Sequence, residues 1–247
     1  MKFTSMIAVL FIAGLANAQT AEKIVANYFE NTGGYEAWGK LTSVKINGRV
    51  NQGGMDIPFE IVGLNDGRQY KKVSLQGNSI MKEVFDGETL WNTNMQTFRA
   101  EKANYESTEN YKLEANDFPH NLYDYKKKGY TIKLVGEEAI HGTDAFKVKL
   151  TKEPISVEGE TVEDVIFYYL DKENFIIIAH EEEILSGPNQ GNTTLITYNN
   201  YDEVDGLYFP FSITHESEGR QPMLFSIDMI ELNQAVDASI FKFPVEK

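Results

Sequence analysis

From residue 207 to 213 every second side chain is large and apolar. Leu207, Phe209, Phe211 and Ile213 fall on one face, and Met223, Phe225, Ile227 and Met229 repeat the pattern in the next segment. Earlier runs do the same: Ile57, Phe59 and Ile61; Phe146, Val148 and Leu150; Val165, Phe167 and Tyr169. The intervening positions include Lys147, Lys149, Thr214, Ser226 and Asp228. A period of two is the signature of a strand with one greasy and one wet face. Further strands are expected at 44–50, 68–75, 79–85, 89–93, 131–136, 175–183 and 193–201, with turns at 65–67, 76–78, 86–87, 171–174 and 205–206. The 175–184 run is apolar on both faces, so its parity stays open. A long antiparallel sheet must cover its greasy face, so a sheet with so few helices closes into a barrel or curls around a helical plug. Whether the interior is filled by its own side chains or holds a ligand stays open at this point.

Two regions depart from the strand rhythm. Residues 20–31 place Ile24, Val25, Tyr28 and Phe29 at helical spacing, and Gly33-Gly34 ends the helix. Residues 100–129 are polar and lack β-branched runs, which predicts one or two short helices interrupted by Pro119. No repeat or low-complexity tract divides the chain, and one domain over 19–247 is expected.

Residues 1–18, MKFTSMIAVLFIAGLANA, have the charged start, short apolar centre and Ala-x-Ala end of a secretory signal peptide. Cleavage after Ala18 leaves Gln19 first, which predicts an exported protein, periplasmic in a Gram-negative envelope. The chain has no cysteine, which excludes disulfides, thiolate metal sites, a cysteine nucleophile and a lipid-modified N-terminal cysteine. Its 37 acidic residues outnumber 23 basic ones, giving a net charge of −14 that argues against nucleic acid and against electrostatic adhesion to anionic lipid.

Catalytic signals are scarce. There is no G-x-S-x-G elbow, H-E-x-x-H helix, P-loop or G-x-G-x-x-G. His120, His141, His180 and His215 are scattered over different segments. Of the run His180-Glu181-Glu182-Glu183, only His180 and Glu182 would share a strand face. Asp202, Glu203 and Asp205 sit at a turn without the spacing of a calcium loop. No catalytic residue, metal or cofactor is assigned, and Trp38 and Trp91 read as core. A hydrolase would require a convergent polar cluster that the sequence does not single out.

Phe85-Asp86-Gly87-Glu88-Thr89-Leu90-Trp91 resembles the aromatic-Asp-Gly-x-x-Leu-Trp hairpin of the LolA/LolB-like outer-membrane lipoprotein-sorting family. Val204-Asp205-Gly206-Leu207-Tyr208-Phe209-Pro210 and the ending from Asn233 through Asp237, Ser239, Phe241, Phe243 and Pro244 are similar to two further family segments, in the family's order. The resemblance implies a mainly β fold: a curved antiparallel sheet forming an open half-barrel covered by short helices. It also implies an apolar concave cavity for acyl chains of lipoproteins or other lipids, without catalysis. In that picture Phe59, Ile61, Phe146, Val148, Phe167, Tyr169, Phe209, Phe211, Ile213, Phe225, Ile227 and Met229 line the cavity. Residues 100–125 supply a lid through Tyr111, Leu113, Phe118 and Leu122. The implied partners are inner-membrane release machinery and an outer-membrane acceptor, with a monomeric carrier between them. The family's lid-latching Arg is replaced by Lys71, a poorer multidentate donor, so the latch is not carried over. Extra sequence at 153–160 and 186–192 leaves a sensor or interaction module on the same fold as the alternative.

Overall fold

A computed structural model describes residues 19–187 and 189–244; the expected signal peptide lies outside the described residues. The chain opens with α1 (Ala21–Asn31) and a single turn, α2 (Tyr35–Trp38). Thr20 caps α1 by accepting the Lys23 N–H, and α1 buries Ile24, Val25, Tyr28 and Phe29 on one face. At Gly33 a Cβ would lie 2.2 Å from the Gly206 carbonyl oxygen, and φ is +115°, so only glycine fits.

Strands then follow: β1 (Ser43–Gln52), β2 (Met55–Leu64), β3 (Gln69–Leu75), β4 (Asn78–Phe85), β5 (Leu90–Thr93) and β6 (Ala100–Lys102). After helix α3 (Tyr105–Ala115) and a run of turns come β7 (Thr131–Ile140) and β8 (Thr143–Thr151). A two-stranded excursion, β9 (Ile155–Val157) and β10 (Glu160–Val162), precedes β11 (Val165–Asp171), β12 (Ile177–Glu183), β13 (Thr193–Val204), β14 (Leu207–Ser217) and β15 (Met223–Leu232). A 3-10 turn, Ala238–Phe241, is the last of these elements. The small β9–β10 hairpin and the short β6 were not anticipated; each has three residues, too few to show a period.

Thirteen strands form one antiparallel sheet in the order β6-β5-β4-β3-β2-β1-β15-β14-β13-β12-β11-β8-β7. The end strands β6 and β7 do not pair with each other, so the sheet is an open half-barrel, as expected. Two meanders meet at the β1–β15 seam, where Val44 faces Leu232 and Val50 faces Phe225. The chain leaves one edge of the sheet at Lys102 and re-enters the other at Thr131, so the connection between them crosses the opening. The greasy concave side carries the main core, into which α1 and α2 insert Tyr28, Phe29 and Trp38 against Tyr168, Leu207 and Phe209. On the convex side the C-terminal turn covers Val62, Tyr70, Val84 and Trp91 with Phe241, and the Trp91 indole donates to the Phe241 carbonyl at 3.3 Å.

Candidate functional site

Register decides which apolar side chains reach the concavity. On β8 and β11, Phe146, Val148 and Leu150 point inward beside Ile166, Tyr168 and Leu170. Phe167 and Tyr169 therefore point outward, under the Lys147 ammonium at 5.1 and 5.0 Å from their rings. Strand β11 is apolar on both faces, so alternation alone could not choose between them. Met229 also leaves the concave side. The β1–β15 pairing slips between Asn47 and Gly48, which turns Met229 to the convex face at 46% exposure while Ile227 stays inside.

Of the inward positions, Phe146, Val148 and Phe209 are consumed by the helical plug: they are buried in the main core, and Phe209 packs on Trp38 at 5.2 Å. Phe211 is partly buried against the same core. Phe59, Ile61, Ile213 and Phe225 form a different territory, bordered by Ile227, which packs partly against the main core. They lie on β2, β15 and β14, with Gly48 of β1 between them: Gly48 faces Phe59 and Ile227, and Ile213 faces Phe225. Gly48 is required here, since a Cβ would lie 2.7 Å from the Phe59 ring. That leaves Phe59 free to meet Phe225 edge to face at 5.8 Å. Ile61, Ile213 and Phe225 are only half-buried and lie outside the main core, so this apolar strip stays partly open.

Two hollows flank the strip. One, of about 700 Å³, lies between the sheet and the connection and is lined by Gly63, Phe118, Lys152, Ile166 and Glu182. The other, of about 860 Å³, opens at the hairpin end and is lined by Gln52, Glu182, His215 and Met223. Glu182 borders both. These sizes suit a small-molecule or acyl ligand.

The lid residues divide. Tyr111 is buried against Phe85 at 5.4 Å, and its hydroxyl donates to Gln69 at 3.2 Å and to Glu83 at 3.3 Å. Phe118 reaches over Gly63 at the hollow. Leu122 is fully buried in the plug, whereas Leu113 is half-buried beside Asn65 and Gly67, away from the strip. Lys71 sits 2.8 Å from Glu83 and 5.2 Å from the Tyr111 ring centre, so it takes part in holding α3. Burial raises the Tyr111 hydroxyl to about 12, against the opposing pull of Lys71.

The hollow also has a polar wall that sequence reasoning missed. Lys152, with a side chain 6% exposed, bridges Asp117 at 2.8 Å and Asp164 at 3.0 Å. Burial pushes the carboxyls of Glu114 and Glu182 upward, helped by neighbouring acids and opposed by Lys152. His120 accepts the Leu122 N–H on Nδ1 at 3.1 Å, and burial drops it to about 3, so it is neutral with its proton on Nε2. His180 shares a 2.7 Å hydrogen bond with Tyr198 and is lowered to about 4 by burial and then by His215. The signal for these groups lay in three distant stretches, 117–120, 152–164 and 180–182, which only the fold brings together. The wall offers hydrogen bonds beside an apolar strip. Its cation is already neutralised, and its histidines are poor bases.

No family model and no curated protein matches the chain. Solved structures do. A LolA superfamily protein from Nitrosomonas europaea is 15% identical with a TM-score of 0.57, covering 91% of this chain and 98% of that one. A DUF1329 family protein from Desulfovibrio piger is 12% identical with a TM-score of 0.56 over 90% of this chain and 96% of that one. An outer membrane lipoprotein-sorting protein domain from Vibrio parahaemolyticus is 8% identical with a TM-score of 0.53 over 89% and 94%. An open antiparallel half-barrel with helices in its concavity defines the class. This chain has the LolA-like fold. Among the described residues no helix is long and apolar enough to cross a membrane.

Proposed function

We propose that this protein is an exported, periplasmic, non-catalytic carrier of acylated ligands, in particular lipoproteins in transit to the outer membrane. The observation that carries the reading is the partly open strip of Ile61, Ile213 and Phe225 beside the packed plug. A concave face that is packed at one end and leaves a half-buried apolar strip at the other has room for a guest. Each acyl CH₂ buried there contributes about 0.8 kcal/mol. The proposed binding residues are Phe59, Ile61, Ile213, Phe225 and Ile227, with Tyr111 and Phe118 as the lid. The polar wall around Lys152 then meets the head group. A monomer loaded by inner-membrane release machinery and emptied by an outer-membrane acceptor fits this scheme, because the receiver need only bind the acyl chains more tightly. Titration of the purified protein with a fluorescent fatty acyl ligand tests it: saturable uptake is expected. A folded protein that takes up none would overturn the carrier reading in favour of an interaction module.

A further inference from the structure

The two ends of the half-barrel differ in charge. In an antiparallel sheet the turns alternate between ends, so those joining β1–β2, β3–β4, β5–β6, β12–β13 and β14–β15 share one rim. Their sequences, 51–55, 75–78, 94–99, 184–192 and 217–222, contain Arg99, Glu218 and Arg220 and no other charged residue, in a chain that is 24% charged. The turns at the opposite end, 65–68, 86–89, 141–142, 171–176 and 205–206, hold six carboxylates against Arg68 and Lys172. Two further connections reach this rim: the end of 103–130, where Lys126, Lys127 and Lys128 precede β7, and 152–164, which is acidic. The latter folds across onto α3, where the Glu106 carboxylate accepts from Ser156 and from the Glu158 and Gly159 amides.

The neutral rim also carries bare apolar side chains. Met55 is 59% exposed, Leu75 38%, Met95 54% and Phe98 65%. They stand on three hairpins that are consecutive in the sheet, among Gly, Asn, Gln, Ser and Thr, with Asp56 beside Met55 and Arg99 beside Phe98. Single anchors on separate, sparsely charged hairpins do not make the pocketed patch that a protein partner needs. They do suit the headgroup boundary of a bilayer, where apolar tips enter and uncharged polar neighbours stay wet. The net charge of −14 disfavours anionic lipid and leaves a neutral surface.

We propose that this rim docks on the surface of a zwitterionic lipid bilayer through Met55, Leu75, Met95 and Phe98. The inference does not depend on the carrier reading. It does place the lipid surface two residues along β2 from Ile57 and two along β3 from Val73, at the start of the concave face.

Flotation of the purified protein with phosphatidylcholine vesicles tests the proposal. The protein is expected to float with them, to float less with vesicles enriched in phosphatidylglycerol, and to stay bound when salt is raised. Phe98→Asp or Met55→Asp is expected to cut the bound fraction about tenfold, with an unchanged thermal midpoint, because neither side chain is packed. As a second readout, Phe98→Trp is expected to shift its emission to the blue on adding vesicles, over a background from the buried Trp38 and Trp91 that does not move. Absence of flotation, equal flotation of the Asp variants, or an unshifted Phe98→Trp emission would each overturn it. Flotation without any uptake of a soluble acyl ligand would remove the carrier reading and leave the docking surface standing.

Discussion

The Lys152 ammonium lies 2.8 Å from the Asp117 carboxylate, tying the end of β8 to the connection that crosses the concave opening. With Asp164 at 3.0 Å on the other side, one buried cation separates two carboxylates. Replacing Lys152 with Met keeps most of the volume and leaves both acids facing a hollow. We expect a loss of about 2–4 kcal/mol in urea unfolding, since removing one member of a buried ion pair strands its partner's charge. Asp117→Asn together with Lys152→Met should recover part of that loss, and strict additivity would show that the two residues are not coupled.

Phe209 and Phe225 share a strand pattern in the sequence but separate in the fold. Phe209 is buried on Trp38, so Phe209→Asp is expected to unfold the protein. Phe225 is half-buried beside Phe59 and His215, and Phe225→Asp should weaken acyl uptake at least about tenfold while the melting temperature moves little. Phe167→Ala, on the convex face, should leave uptake unchanged.

His120 and His180 are held neutral, at about 3 and about 4, by burial. The unfolded chain binds protons on them near pH 6.5 and the folded chain does not, so stability falls as pH drops below 6.5. The loss continues until the folded values are reached. Between pH 7 and pH 5 each histidine should cost about 2 kcal/mol. Urea midpoints across that range should decline, and His120→Asn should flatten the slope. A midpoint independent of pH from 7 to 5 would contradict the assignment.

Helix α3 buries only Tyr111 and Ala115, whereas α1 of equal length buries five residues. Its amides should exchange with deuterium at least about tenfold faster than those of α1, because local opening exposes so little apolar surface. Tyr111→Phe removes the hydroxyl's bonds to Gln69 and Glu83 and should widen the gap.

Much of the architecture was legible in the residues. Period-two alternation placed nearly every long strand, the Asn-Asp-Gly, Asp-Gly and Gln-Gly-Asn turns fell where chain reversal occurs, and α1 sits where Ile24, Val25, Tyr28 and Phe29 put it. Which face is concave was not legible on β11, where both faces are apolar and only the register with Lys147 and Lys149 chooses. The slip at Asn47/Gly48 that turns Met229 outward leaves no mark in local sequence, since a bulge is a property of two paired strands. The Lys152 wall was invisible for a similar reason: its acids are 35 and 12 residues away along the chain and adjoin only through tertiary structure. The place of Lys71 beneath Tyr111 was found by position, but its work through Glu83 needed the β3–β4 pairing.

The connection from Lys102 to Thr131 joins the two free edges of one sheet. It is thus a leash as well as a cover. Residues 103–130, fully drawn out, would span about 90–100 Å, and α3 stores part of that length as helix at about 1.5 Å per residue. The cover is therefore tethered at both edges and pinned between them, by Asp117 on Lys152 and by Glu106 on Ser156, Glu158 and Gly159.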